Sequence, residues 1–423
     1  MGVLTVTAPV TGGSLKVLFL CEQYPPIVWD GAGIYTAVIA GALAALGHEV
    51  HVLCAQGHRI VDEIHDGVRV HRRPLLRVPV TRMLGRYGRV IAGRHHPRDS
   101  LSLRASLAAS YAFWLRRLGL RPDVIETQDG DSRGLIRILG HSHPLVIHLH
   151  CPTMLPPRLS GEKLSWKGRV ADRVDRAVVA WADAVTAPSE LMVTTLRELG
   201  WLTDRPVEII PNPFDATCWR SVAPPRDTEP VIAVVGRIER EKGVNILLDA
   251  VAKLRADGLE AQIVLAGTSA GLIGGVPTRA WLARRAEQLD VPCTFAGHVP
   301  LSDLAEIYGR ARVVAVPSRF ESMSMAAIEA MASGRPVVAT ARTGIAPYLE
   351  RHGAGAVVPP DDPEALAAAL RPLLVDPELA VTVGARGRAA VADFEPRAVA
   401  MRRERVYRQA ISRFETRRGT SSR

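Results

Sequence analysis

Short, wholly apolar runs alternate along this chain with longer segments whose apolar residues recur every three or four positions. Lys16-Val17-Leu18-Phe19-Leu20-Cys21 and Glu49-Val50-His51-Val52-Leu53-Cys54 are buried strands of the first kind. Between them Ile34 to Leu46 has helical spacing at Ile34, Val38 and Leu43, and Gly47 stops it. Strand, helix, strand in this order makes parallel sheet, because parallel neighbours need a crossover. Further strands are expected at 123–126, 145–150, 184–187 and 207–210. A proline-rich polar segment at 221–230 then reads as an interdomain linker. After it the pattern restarts, with strands at 231–235, 262–266, 294–296 and 313–316 and helices at 244–255, 278–289 and 302–309 between them. The expected fold class is α/β, with two parallel-sheet domains, 15–220 and 231–394, facing a cleft that is the natural ligand site. Asp361-Asp362-Pro363-Glu364 reads as an acidic helix start, and Glu395 to Phe414 as a long amphiphilic segment. Residues 1–14 and 417–423 read as disordered ends.

The stretch from Val313 to Ala339 breaks this regularity. It reads as strand, loop, helix, strand, with the helix from about Met325 to Ser333 and Gly334 as its stop. Glu329 stands among Ala326, Ala327, Ile328, Ala330, Met331 and Ala332 on a helix apolar nearly all round. Such a helix is normally buried, and a buried carboxylate needs partners. Glu321 lies in the loop at the helix N-terminus, where free N–H groups and the positive end of the dipole attract anions. Two readings are open: Glu321 complements the dipole while Glu329 pairs with a core cation, or the stretch holds a ligand.

A second loop bears on that choice. Gly236-Arg237-Ile238-Glu239-Arg240-Glu241-Lys242-Gly243 joins a strand to a helix, and it opens at the carboxyl edge of the same sheet. Arg237 can fork onto phosphate oxygens and Lys242 can act as a point charge, so two cations and a helix N-terminus converge on a diphosphate-sized anion. An ordinary solvated charged loop is the alternative. In the first half, Gly31 and Gly33 follow a strand and allow close backbone approach, without the spacing of a dinucleotide fingerprint. His150 stands at another strand end, as a ligand contact or a structural histidine. Asp129-Gly130-Asp131 fits a short metal-binding pattern that three residues match easily by chance, and it reads rather as a turn or an acceptor-facing loop.

Composition narrows the classes. With 423 residues, 47% of them hydrophobic, two globular domains are expected. No apolar run reaches the ~18 residues of a bilayer span. No signal peptide is evident, and five scattered cysteines fit reduced, cytoplasmic usage. The net charge of +10 is concentrated between Arg69 and Arg98, where nine arginines occur without an acid. That segment reads as a solvated loop or as a contact for an anionic membrane face. Nucleic acid is not expected, because few aromatics are interleaved.

From about Lys16 to Phe414 the chain resembles the retaining, nucleotide-sugar-dependent glycosyltransferases of family 4, with the two-Rossmann GT-B architecture. The resemblance rests on Glu321 and Glu329 with seven residues between, within Pro317-Ser318 and Glu329-Ala330-Met331-Ala332-Ser333-Gly334-Arg335-Pro336-Val337-Val338. It rests also on Gly236-Arg237 with Lys242-Gly243, Ile210-Pro211-Asn212-Pro213-Phe214-Asp215, Tyr24-Pro25-Pro26 with Gly31-Ala32-Gly33, Gly47-His48-Glu49-Val50 and Leu149-His150. It implies that Glu329 binds ribose hydroxyls and Glu321 donor-sugar hydroxyls, while Ser322, Met323, Ser324 and Met325 present backbone N–H groups to sugar and phosphate. Arg237 and Lys242 would neutralise the diphosphate as the glycosidic bond breaks, and His150 would lie near the sugar. Gly31 and Gly33 would let the backbone approach the diphosphate, and Gly297, His298 and Val299 would hold the base. Where the family commonly has an aromatic residue and glycine after the first acid, this chain has Met323-Ser324.

The resemblance also implies that the helix at 395–416 packs back on the first domain. It implies no protein nucleophile, no metal and no cofactor beyond the nucleotide-diphosphate sugar as co-substrate, with a hydroxyl-bearing acceptor such as a lipid-linked glycan, a cyclitol or a small natural product. The competing readings are a nucleotide-sugar 2-epimerase on the same scaffold, which needs acid–base residues in the cleft, and a non-catalytic nucleotide- or membrane-surface-binding protein.

Overall fold

The computed structural model describes residues 13–26, 31–55, 59–76, 101–130, 133–137, 143–159, 161 and 163–421. Asp30, Asp131, Arg77, Arg82, Arg86, Arg89, Arg94 and Arg98 lie outside the described residues, as do 1–12 and 422–423 of the expected disordered ends. The chain forms two compact units, Met1–Thr186 with Ala400–Arg423, and Ala187–Val399. Among the described residues no helix is long and apolar enough to cross a membrane.

The first unit contains β1 (Lys16–Cys21), α1 (Gly31–Ala45), β2 (Glu49–Ala55), β3 (Val61–His65), β4 (Val68–Arg73), α2 (Leu101–Leu118), β5 (Val124–Gln128), β6 (Leu145–His148), α3 (Leu155–Leu159), α4 (Trp166–Trp181) and β7 (Ala184–Ala187). Its strands run in the order β3-β4-β2-β1-β5-β6-β7. All neighbours are parallel except β3 and β4. In register, Val17 lies between Val50 and Val124, so the central strands are apolar on both faces, as a sheet covered by helices requires.

The β3–β4 hairpin was not among the expected strands, and it changes the reading of the first three arginines of the Arg69 to Arg98 segment, which are not a solvated loop. Asp66 and Gly67 take positive φ angles of 49° and 78° at its turn. The hairpin brings acids to the first three arginines: Arg69 pairs with Glu49 at 2.5 Å, Arg72 with Glu63 at 2.7 Å and Arg73 with Asp62 at 2.6 Å. Arg73 is buried. These cations are locally neutralised.

The second unit contains α5 (Glu190–Glu198), β8 (Glu208–Ile209), β9 (Val231–Val235), α6 (Val244–Ala256), β10 (Gln262–Ala266), β11 (Leu272–Ile273), β12 (Val276–Pro277), α7 (Thr278–Gln288), β13 (Cys293–Gly297), α8 (Leu301–Arg310), β14 (Val313–Val316), α9 (Met325–Ala332), β15 (Val337–Thr340), α10 (Ala346–His352), β16 (Gly355–Val358), α11 (Pro363–Val375) and α12 (Pro377–Ala390). Helix α13 (Pro396–Ser421) leaves this unit after Val399. The main sheet is β13-β10-β9-β14-β15-β16, every pair parallel, beside the small antiparallel pair β11 and β12. Alternate strand residues feed two apolar layers. Ile232, Val234, Val313 and Ala315 pack with Leu247, Val251 and Leu370, whereas Ala233, Val314 and Val316 pack with Ile328, Met331 and Phe394. Because β9 and β14 are neighbours in a parallel sheet, the loops after them leave the same edge.

The division at Thr186/Ala187 differs from the expected boundary around 221–230, and the reason is packing. The Phe214 N–H donates to the Phe394 carbonyl at 2.7 Å, and Trp219 packs edge-on against Tyr308 at 5.4 Å. Arg335 Nη1 donates to the Ala223 carbonyl at 2.6 Å and Arg388 Nη2 to that of Val222 at 2.7 Å. The expected linker is therefore an integral part of the second unit. The tail also differs: α13 runs on to Ser421, and Arg417 Nη2 donates to buried Asp183 at 2.5 Å.

Candidate active site

In the second unit the loop after β9 and the loop after β14 are tied to each other. The Arg319 N–H donates to the Glu241 carbonyl at 2.8 Å. Gly243, at φ 66°, brings its backbone so near β14 that a Cβ there would stand 1.9 Å from the Pro317 carbonyl oxygen. Only glycine fits both constraints. This approach places Lys242 beside Glu321: Lys242 Nζ donates to Glu321 Oε1 at 2.7 Å, and Ser318 Oγ donates to the same oxygen at 2.6 Å. Among the described residues nothing pairs with Oε2. The Glu321 backbone is fixed as well, its N–H donating to the Arg342 carbonyl and its carbonyl accepting from the Gly344 N–H, each at 2.9 Å.

Helix α9 follows. Ser324 is its N-cap, its hydroxyl accepting from the Ala327 N–H at 3.4 Å, and Met323 is buried in the apolar core. Neither side chain faces a ligand, so what Met323 and Ser324 can offer is backbone N–H. The Ser322 carbonyl accepts from Ser189 Oγ at 2.5 Å. Arg237 is 57% exposed and pairs with Glu239 at 3.0 Å. Gly297 ends β13, with its carbonyl accepting from the Gly267 N–H at 2.7 Å; exposed His298 and half-buried Val299 follow at the same carboxyl edge. Thus Lys242 and Glu321 are in direct contact, while Arg237 and residues 297–299 share only the edge.

Among the described residues Glu329 has no basic partner. Its Oε2 accepts from the Tyr308 hydroxyl of α8 at 2.7 Å, and burial raises its carboxyl above the ordinary carboxylate value, opposed by that hydrogen bond. Glu329 is partly buried, and its Oε1 is uncommitted. The core-cation reading does not hold, because the partner is a neutral hydroxyl. Sequence reasoning missed Tyr308, which no local pattern links to a residue 21 positions away. It also missed the Ser318 contact, which depends on the fold of the loop after β14.

In the first unit Gly31 and Gly33 form the first turn of α1. His150 follows β6, its ring edge-on to Tyr35 at 4.6 Å and to His148 at 4.5 Å. Burial, with Arg403 and Arg133 next, lowers its imidazole to about 3, so it is neutral at physiological pH. Asp129 Oδ1 accepts from the His150 N–H at 2.9 Å and the Cys151 N–H at 3.3 Å, and burial pushes the carboxyl up to about 8. Through Oδ1 the Asp129 carboxyl thus clamps the backbone of the loop after β6.

Residues 30–213 match the family described as "Glycosyl transferase 4-like domain", and residues 215–390 match "Glycosyl transferases group 1". This chain belongs to the group 1 glycosyltransferases. The glycogen synthase of Mycobacterium tuberculosis is 29% identical to this glycosyltransferase over 93% of the chain and 94% of the relative. Among solved structures, sucrose-phosphate synthase from Thermosynechococcus elongatus superposes with a TM-score of 0.74 at 24% identity, covering 94% of this chain and 99% of that one. Anabaena HepE in complex with UDP and glucose superposes with a TM-score of 0.67 at 20% identity, covering 93% and 99%. The fold of this glycosyltransferase is therefore GT-B.

Proposed function

We propose that this group 1 glycosyltransferase moves a hexosyl unit from a nucleoside-diphosphate sugar to a hydroxyl acceptor with retention at the anomeric carbon and without a metal. The observation that carries the reading is the Lys242–Glu321 pair at the N-terminus of α9. Lys242 Nζ has two further N–H donors for a diphosphate oxygen, and the helix N-terminus adds unpaired backbone donors. Arg237, more than half exposed, can swing from Glu239 to the phosphate. These groups take up the charge that grows on the diphosphate as its bond to the sugar breaks.

Glu321 Oε2 accepts a sugar hydroxyl, Glu329 Oε1 a ribose hydroxyl, and the backbone of 322–325 and 297–299 completes donor binding. His150 offers an uncharged imidazole to a sugar hydroxyl. The leaving phosphate takes the acceptor's proton, so no side-chain base is invoked.

Incubation with a panel of UDP-, GDP- and ADP-sugars, following slow donor hydrolysis and the anomeric signals of the product, tests this. One donor is expected to be cleaved with the α-configuration kept, and inversion at the anomeric carbon would overturn retention. The arginines between 77 and 98 give a site for an anionic membrane face; pelleting with anionic liposomes that is absent at low ionic strength would remove it.

A further inference from the structure

The first unit holds a buried polar network that donor binding does not explain. Arg403 of α13 is fully buried, and its one acidic neighbour among the described residues is Glu126, at 3.7 Å. Isolating a guanidinium in this way is costly unless its donors are satisfied. Its Nη1 donates to Thr186 Oγ1 at 2.5 Å and its Nη2 to His148 Nδ1 at 2.7 Å, and it lies 5.3 Å over the Tyr35 ring. Glu126 accepts from the Tyr35 hydroxyl at 2.7 Å and from the Tyr407 hydroxyl at 2.6 Å.

An arginine stays protonated, so the nitrogen that accepts from it must carry a lone pair. His148 is thereby fixed as the neutral tautomer with its proton on Nε2. Tyr35 and His148 are stacked at 4.6 Å, and His150 meets both edge-on. Both neighbours that set the plane of the His150 ring are thus held by Arg403. His150 Nε2 is buried with no hydrogen-bond partner among the described residues, so that nitrogen does not orient the ring.

We propose that Arg403 is a positioning residue for His150, fixing the plane of its imidazole through His148 and Tyr35. This rests on the reading of His150 as a sugar-hydroxyl contact. The full chain, labelled with nitrogen-15 at histidine, gives the first test. In the wild type, His148 is expected as the Nε2–H tautomer; the Nδ1–H tautomer would overturn the proposal even if no variant folds.

In Arg403→Met, His148 is expected to lose its single Nε2–H tautomer and kcat to fall on the order of 10²-fold, as a misplaced ligand contact does, with a much smaller change in donor KM. Arg403→Lys should restore part of kcat. Because Arg403 acts through His150, Arg403→Met should cost nothing more in a His150→Ala background, and additive losses would overturn the proposal. Full turnover by His150→Ala alone would instead overturn the sugar-contact reading, leaving the histidine signals of Arg403→Met to decide whether Arg403 positions the ring.

Discussion

Gly243→Ala is the sharpest probe of how the second unit builds its anion site. At φ 66° an alanine costs about 1–2 kcal/mol of left-handed strain. The added Cβ would also meet the Pro317 oxygen at 1.9 Å and its carbonyl carbon at 2.9 Å, backbone atoms that cannot rotate away. Forcing such a contact apart costs typically a further ~1–3 kcal/mol. The sum, about 2–5 kcal/mol, is a large share of the ~5–15 kcal/mol that holds a domain folded. For a unit of about 200 residues this lowers Tm by roughly 5–20 °C. Gly258 supplies the control: its φ is 84°, but nothing lies within 4 Å of its Cβ position, so Gly258→Ala carries the strain alone. Thermal and urea unfolding of both variants measure the difference. Equal losses in the two would refute the close approach of the loop after β9 to β14, and with it the basis for placing Lys242 against Glu321. If the approach is real, Gly243→Ala also loses turnover at temperatures where it is still folded, because the strain is relieved by moving Lys242.

Other outcomes follow from the same geometry. Lys242→Ala is expected to lower kcat on the order of 10²-fold, as loss of a charge-stabilising donor does, and Arg237→Ala less, since Arg237 must first leave Glu239; steady-state kinetics with the donor found by the panel rank the two. Asp129→Asn should flatten the pH dependence of stability. The folded carboxyl at about 8 lies above the unfolded value near ~4, so the native state holds its proton, and its contribution is full below ~4 and lost as pH rises through about 8. The wild-type-minus-variant difference in urea midpoint should therefore fall from pH 5 to 8, and a constant difference contradicts a protonated Asp129.

The sheets were legible because apolar runs such as Val231 to Val235 and Val313 to Val316 are long enough to be buried and too short for helices. The acidic pair was legible too, since a lone carboxylate on the apolar helix α9 is an energetic anomaly at any level of description. What failed was local signal outweighed by composition. Asp66-Gly67 between alternating residues marks a hairpin, but the arginines of that segment drew the reading toward a basic surface, and the acids that neutralise them come from β2 and β3. Prolines 224, 225 and 230 read as linker chemistry, although Pro225 is buried and the arginines of 335 and 388 cap the carbonyls beside it. No sequence pattern could place Tyr308, Arg403 or Glu126, whose partners meet only when helices dock on sheets.

Glu329, of the opening anomaly, should consequently make donor binding depend on pH. Glu321 faces the cation of Lys242, whereas Glu329 has only a neutral hydroxyl against the cost of burial, and its carboxyl is raised. If the ionised Glu329 accepts the ribose hydroxyls, donor kcat/KM is lost as pH falls through that raised value, giving an acid limb above the usual carboxylate range. Glu329→Gln should remove the limb and lower kcat/KM throughout. Tyr308→Phe should move it to higher pH, because the hydroxyl is what opposes the effect of burial. A structural role for Tyr308 would lower stability and leave the limb in place. An acid limb that is unmoved in Tyr308→Phe and retained in Glu329→Gln would show that another group controls donor binding.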